Sequence, residues 1–307
     1  MPDIILHHYP QSPVSEKVRV VLGIKGLRWS SVIIPRIPPK PDVITLTGGY
    51  RRTPVMQIDA DIYCDSSCII AELERRCPAP TLFPENQPGR AQGIGAWIDG
   101  PLFDLTVAVV LGSEVENMPP EFAADRGRLY FGPAYDLRAL NAQLPALVSQ
   151  LRIQFGWVND AIGAGPYMHG AVPGLIDALC YYPVWFIRGR FRDGPALLAQ
   201  FPRLQGWESR LRELGHGDPI EMDSSAAVAL ANSTTSPTEP YLDPDDSLPL
   251  SVGDRVVVAP VFDGGDPSVT GSLIRLERER IAIRCRNERV GEVTVHFPRL
   301  NYRVELA

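Results

Sequence analysis

Residues 4–26, IILHHYPQSPVSEKVRVVLGIKG, constrain the fold more than any other stretch. Ile4-Ile5-Leu6 is apolar and bounded by polar and Pro-containing residues, as a short buried strand is. Pro13 suits the first position of a helix, where its missing N–H removes no hydrogen bond. Ser12 then stands at the N-cap, where its hydroxyl accepts a bond from a free helix N–H. Val14, Val18, Val21 and Leu22 recur at helical spacing and form one apolar face, and Gly26 supplies a stop. Trp29-Ser30-Ser31-Val32-Ile33-Ile34 reads as the next strand, so the opening is a βαβ unit with parallel strands. The loop before the helix faces unpaired N–H groups and the positive end of the helix dipole. Such an end stabilises an anion, a thiolate as well as a phosphate. Ser12-Pro13-Val14-Ser15 has C-x-x-C spacing with serine in both places. A hydroxyl there donates to a thiolate but forms no disulfide with it. On this stretch alone, the plainer reading is Ser12 as a cap and nothing more.

Two later stretches change that balance. Arg51-Arg52-Thr53-Pro54-Val55-Met56 leads into a strand, and Val55–Ile58 and Ile62–Cys64 flank Asp59-Ala60-Asp61, a hairpin signature. Cys64-Asp65-Ser66-Ser67 precedes a helix whose Ile69, Ile70 and Leu73 are spaced for burial, with Asp65 and Ser66 as its caps. Residues 35–41, PRIPPKP, read as a loop, because closely spaced prolines remove donors and restrict their neighbours.

A capping Ser, a Thr-Pro-Val and an Asp-Ser, in that order and spacing, resemble the glutathione transferase family. The resemblance covers about residues 3–78 by ordered motifs and 88–214 more loosely. It implies a thioredoxin-like domain that binds glutathione, then an all-helical domain, in a homodimer. It implies a cis Pro54, with the Val55 N–H and C=O presented to the cysteinyl part of glutathione like an added strand. Thr53 lies along the same ligand, Ser66 holds the γ-glutamyl carboxylate, Asp65 meets its ammonium, and Lys40 reaches the glycine carboxylate. The plainer alternatives are a trans proline opening an edge strand, two helix caps and a solvated lysine.

The implied chemistry is attack of a glutathione thiolate on an apolar electrophile. Ser12 is the first candidate to stabilise the thiolate, Tyr9 its rival and Ser15 the third. Lowering an ordinary thiol pKa of about 8.5 by two units needs about 2.7 kcal/mol. A hydroxyl bond to the anion, roughly 1.5–3 kcal/mol, plus a helix end at roughly 0.3–1 kcal/mol, is of that size. The alternatives are a glutathione-dependent isomerase or lyase using the same site, and a non-enzymatic scaffold. Serine rather than cysteine at position 12 disfavours reduction through a protein thiol.

At 307 residues the chain has room for two or three domains. The reading places a thioredoxin-like α/β domain over 1–84, an all-helical domain over 88–214, a linker over 215–250 and a small SH3-like β-barrel over 251–307. Pro78, Pro80, Pro84 and Pro88 separate the first two. Helices are expected from Gly95 through Leu111, bent at Pro101, and over 136–162, 174–188, 195–200 and 203–214. Gly174 stands where the family caps a core helix with Ser or Thr, with Asp177 three residues on. The Ser-, Thr-, Pro- and Asp-rich linker carries a short Ala-rich helix at 225–231. Short β-patterned segments at 255–258, 271–274, 280–284, 292–297 and 302–304, separated by turns, suggest the barrel.

Composition excludes several partners. A net charge of −6, and nine arginines against eight acidic residues in 251–307, leave no basic field for nucleic acid. The five cysteines are scattered with no zinc spacing, so no metal is expected, and they read as reduced thiols of a cytoplasmic protein. The start of the chain does not read as a signal peptide. The apolar stretches around 105–111 and 178–187 are shorter than the roughly 20 residues a membrane span needs, so no membrane partner is expected.

Overall fold

β1 (Ile5–His8) and β2 (Arg28–Ile33) run parallel, with Ile5 opposite Ser30 and His8 opposite Ile33. Between them, α1 (Pro13–Ile24) begins on its proline and gives way at Gly26, whose φ of 59° glycine adopts without a Cβ penalty. The expected loop over 35–41 ends where α2 (Pro41–Thr47) begins, again on a proline. β3 (Val55–Ile58) and β4 (Asp61–Cys64) form the expected hairpin across Asp59-Ala60, Asp59 taking a φ of 53°. α3 (Ser66–Arg76) follows. This computed structural model describes residues 3–262 and 264–307. They divide into two units. One holds the described residues up to 15, with 28–75 and 218–307, and the other holds 16–27 and 76–217.

The second unit is helical. α4 (Pro88–Trp97), a π-type segment (Ile98–Leu102), α5 (Phe103–Glu114) and a 3-10 turn (Val115–Asn117) follow without a break. The bend lies at Gly100, which leaves helical geometry (φ −106°, ψ −105°) just before Pro101. The run Pro88–Asn117 is therefore longer than the apolar stretches read from sequence. It is long and apolar enough to cross a bilayer by length and composition, and more than half of its apolar window is buried within the protein. α6 (Pro120–Phe131), α7 (Arg138–Asn141), α8 (Leu144–Ala161), α9 (Leu175–Arg190), α10 (Gly194–Leu198) and α11 (Pro202–Leu214) complete this unit. α9 is its core helix, buried from Leu175 through Val184. The buried Lys17 of α1 reaches Asp99 at 2.9 Å, and the Tyr182 hydroxyl donates to the same carboxylate at 2.8 Å.

The tail departs from the expectation of a linker and a separate barrel. β5 (Asp218–Glu221) adds to the free edge of β2, in parallel, with Arg28 opposite Asp218. α12 (Ser224–Ser233) buries Ala227, Val228 and Ala231 in the core of the first unit. Residues 215–250 are thus structured over much of their length, and end in the short β6 (Tyr241–Leu242) beside β8 (Val269–Leu276). With β7 (Arg255–Pro260), β9 (Arg280–Asn287), β10 (Gly291–Pro298) and β11 (Tyr302–Leu306), the sheet order is β11-β7-β8-β9-β10-β4-β3-β1-β2-β5.

The five-strand meander is present, with β11 beside β7, but the described strands do not close into a barrel. The second edge of β10 is taken by β4, with Val295 opposite Ile62. The physical reason is a shared core: Ile5, Val32, Val55 and Ile62 pack in one cluster with Val256, Leu273, Ile283 and Val295. At the seam the buried Asp61 accepts from His296 Nε2 (2.9 Å), Ser236 Oγ (2.6 Å) and Thr238 Oγ1 (3.0 Å). The His296 ring stacks on Tyr63 at 4.4 Å.

Candidate functional site

β1 and β4 run one way and β3 the other, with His7 opposite Val55 and Val55 opposite Cys64. The end of β1, the start of β3 and the end of β4 therefore lie together at one end of the sheet. Three segments leave that end: the turn Tyr9–Ser12, the entry through Thr53-Pro54, and the Asp65-Ser66 start of α3.

Ser12 is 2% exposed and caps α1, its Oγ accepting from the Ser15 N–H at 3.1 Å. The Ser12 N–H donates to the Tyr9 carbonyl at 3.1 Å, which closes the turn. Ser15 is fully buried, and its hydroxyl has no hydrogen-bond partner among the described residues. Tyr9 is half-buried against the core, with the Lys40 ammonium 5.8 Å from its ring centroid. Lys40 is not the solvated lysine of the plainer reading. It is 5% exposed and donates to the Arg51 carbonyl (3.1 Å) and Thr53 Oγ1 (2.9 Å), so its ammonium ties the second segment down.

The Thr53–Pro54 peptide is cis, as the resemblance implied. Val55 sits differently from expectation. In an antiparallel ladder a residue's N–H and C=O point to the same side, and Val55 has a paired strand on each side. Its main chain faces neighbouring strands, and its side chain is fully buried. Thr53, half-buried and just outside the strand, is the residue of this segment that lies open at the sheet end. Asp65 takes a φ of 74°, and its Oδ1 accepts from Ser67 N (2.9 Å) and Ser67 Oγ (2.8 Å). Ser66, 5% exposed, is the first residue of α3. Burial pushes the Cys64 and Cys68 thiols well up, so neither supplies a thiolate near neutral pH.

The tail reaches these segments at places the sequence did not single out. Asp266 lies between Arg51 (Nε, 2.9 Å) and Arg52 (Nε, 2.8 Å). The Tyr302 hydroxyl donates to Asp65 Oδ2 at 3.3 Å. Both contacts span more than 200 residues of sequence, and no local pattern signals them.

Residues 6–81 match the family model for the glutathione S-transferase N-terminal domain. A GST-like protein from Pseudomonas syringae, solved by crystallography, is 34% identical over 100% of both chains, with a TM-score of 0.75. This chain belongs to the glutathione S-transferase-like family. The match spans the tail, so the tail is common to both proteins. The fold is also shared with the Tau class glutathione S-transferase of mango, Mangifera indica, at 14% identity and a TM-score of 0.53, over 69% of this chain and 92% of that one. A glutathione transferase homologue from Sulfitobacter, solved with bound glutathione, gives 14% identity and a TM-score of 0.50 over 69% and 93%. No curated protein matches the chain.

Proposed function

We propose that this protein is a glutathione transferase that holds the glutathione thiolate at the start of α1 and adds it to an apolar electrophile. The observation that carries the reading is the strand register that gathers Ser12, Thr53 and the Asp65-Ser66 helix start at one end of one sheet. Family membership and the shared fold of a glutathione-bound homologue support it.

In this reading Thr53 pairs through its main chain with the cysteinyl unit, as an added strand would. Ser66 and the first N–H groups of α3 receive the γ-glutamyl carboxylate, and Asp65 its ammonium. Lys40 acts through Thr53 rather than on the glycine end. The Ser12 hydroxyl donates to the thiolate, which lowers the thiol pKa, and the sulfur attacks an electrophilic carbon while the leaving group departs. The same reading makes the protein a cytoplasmic homodimer, in keeping with five buried, free cysteines.

Calorimetry with glutathione and S-methylglutathione, paired with turnover of an activated aryl chloride, tests this. Saturable binding of both, with turnover on glutathione alone, is expected. A wild-type protein that binds neither, or binds without turning over any of several electrophile classes, overturns the enzyme reading.

A further inference from the structure

Resting on the glutathione reading above, we propose that the tail supplies two positioning residues of that site, Asp266 and Tyr302, which fix two of its three segments. The Asp266 side chain is 5% exposed, and its two oxygens take the guanidinium groups of consecutive residues, Oδ1 that of Arg51 and Oδ2 that of Arg52. One carboxylate on two neighbouring arginines sets the direction in which the chain enters Thr53. Lys40 holds the same segment through the Arg51 carbonyl and the Thr53 hydroxyl. Without Asp266, two adjacent cations would repel each other immediately before the residue that faces the ligand.

Tyr302 opens β11 and is 8% exposed. Its ring packs on Phe297 at 5.7 Å, and Phe297 meets Tyr50 edge-on at 6.0 Å, so the hydroxyl projects from a packed aromatic set. That hydroxyl reaches Asp65 Oδ2 while Ser67 holds Oδ1, so the carboxylate is gripped at both oxygens. Burial pushes the Tyr302 hydroxyl well above its ordinary pKa, which keeps it a donor at neutral pH. A ligand group is held well when the residue that binds it is itself locked by its neighbours. Asp266 and Tyr302 act through Arg51, Arg52 and Asp65, and the chemistry at Ser12 proceeds without them.

Glutathione calorimetry and steady-state kinetics on the full chain test the proposal with Tyr302→Phe, Asp266→Asn and Asp266→Glu. Tyr302→Phe and Asp266→Asn are expected to raise the glutathione Kd and KM by roughly tenfold, the size of one hydrogen bond to a charged group. The kcat at saturating glutathione should stay near wild type, and Asp266→Glu should recover part of the loss by restoring the carboxylate. Thermal melts follow folding, and Tyr302→Phe keeps the packed ring. Unchanged Kd in both variants, or a fall in kcat and melting temperature with Kd unmoved, overturns the proposal and leaves the glutathione reading standing. Wild-type protein that binds no glutathione overturns both.

Discussion

A serine hydroxyl has one proton to donate and two lone pairs. Ser12 uses a lone pair on the Ser15 N–H, and accepting that bond does not consume its proton, so capping is compatible with the thiolate role proposed above. Two substitutions separate the roles. Ser12→Ala should cost about 1 kcal/mol of stability through the lost cap, whereas Ser12→Gly should cost only a few tenths. Both should lower turnover roughly 10- to 100-fold while glutathione still binds. Tyr9→Phe should leave turnover near wild type, and a loss there instead would move the role to Tyr9. A second prediction concerns His7. It is fully buried, its Nε2–H donating to Gln57 Oε1 at 3.0 Å, and burial lowers its pKa to about 4. Burial also lowers that of His296, against the pull of Asp61. A lowered histidine pKa means the unfolded chain binds the proton first. This stability is complete above about pH 6.5 and is lost as pH falls toward about 4, with His7 alone contributing about 3 kcal/mol. Urea unfolding from pH 7 to 5 should show the loss, and His7→Leu should flatten its slope. Ser12, Pro54 and Asp65 were legible in the sequence because each is defined by its near neighbours. Asp61 was read as a turn residue, since its partners Ser236, Thr238 and His296 stand at least 175 residues away.

Among the elements, α9 shows a cap built without a hydroxyl. Gly174 takes the N-cap, and the buried Asp177 accepts from Gly174 N (2.9 Å), Met168 N (2.9 Å) and Trp207 Nε1 (2.7 Å). Gly174 also sits where a larger residue would not fit, because a Cβ there would come within 2.9 Å of the Leu82 carbonyl oxygen. Asp177→Ala strands two buried donors and a half-buried one and should cost about 3 kcal/mol, read as a shift in urea midpoint with unchanged slope. The helix boundaries here followed from periodicity, and the role of Asp177 followed from the family resemblance. α2 and α6 went unread, and both begin on a proline within a proline-rich stretch that looks irregular from sequence. The five strands β7 to β11 were found at nearly their true positions, because alternation is local, whereas β5 and β6 fell within the stretch read as a linker. The pairing of β10 with β4 was not found, because nothing in either strand names its neighbour.

For the whole molecule, the tail is part of the first unit and its strands extend that unit's sheet at both ends. β5 covers the edge of β2, and β10 covers the edge of β4. Removing residues 218–307 would expose two strand edges and open the cluster that joins Ile62 to Val295. The truncated chain should therefore aggregate or fail to fold, and limited proteolysis of the intact protein should yield no stable fragment ending near residue 214. Recovery of a soluble, cooperatively melting 1–217 fragment would show instead that the tail is an addition to a complete domain.

The seam between β4 and β10 also sets an order of events during synthesis. β4 leaves the ribosome early, while its partner is translated some 230 residues later. Throughout that interval the nascent chain carries an open strand edge beside half of a hydrophobic interior. Its first-made unit is among the last to be finished, a demand on chaperones that a chain with its sheet encoded in one continuous stretch does not make.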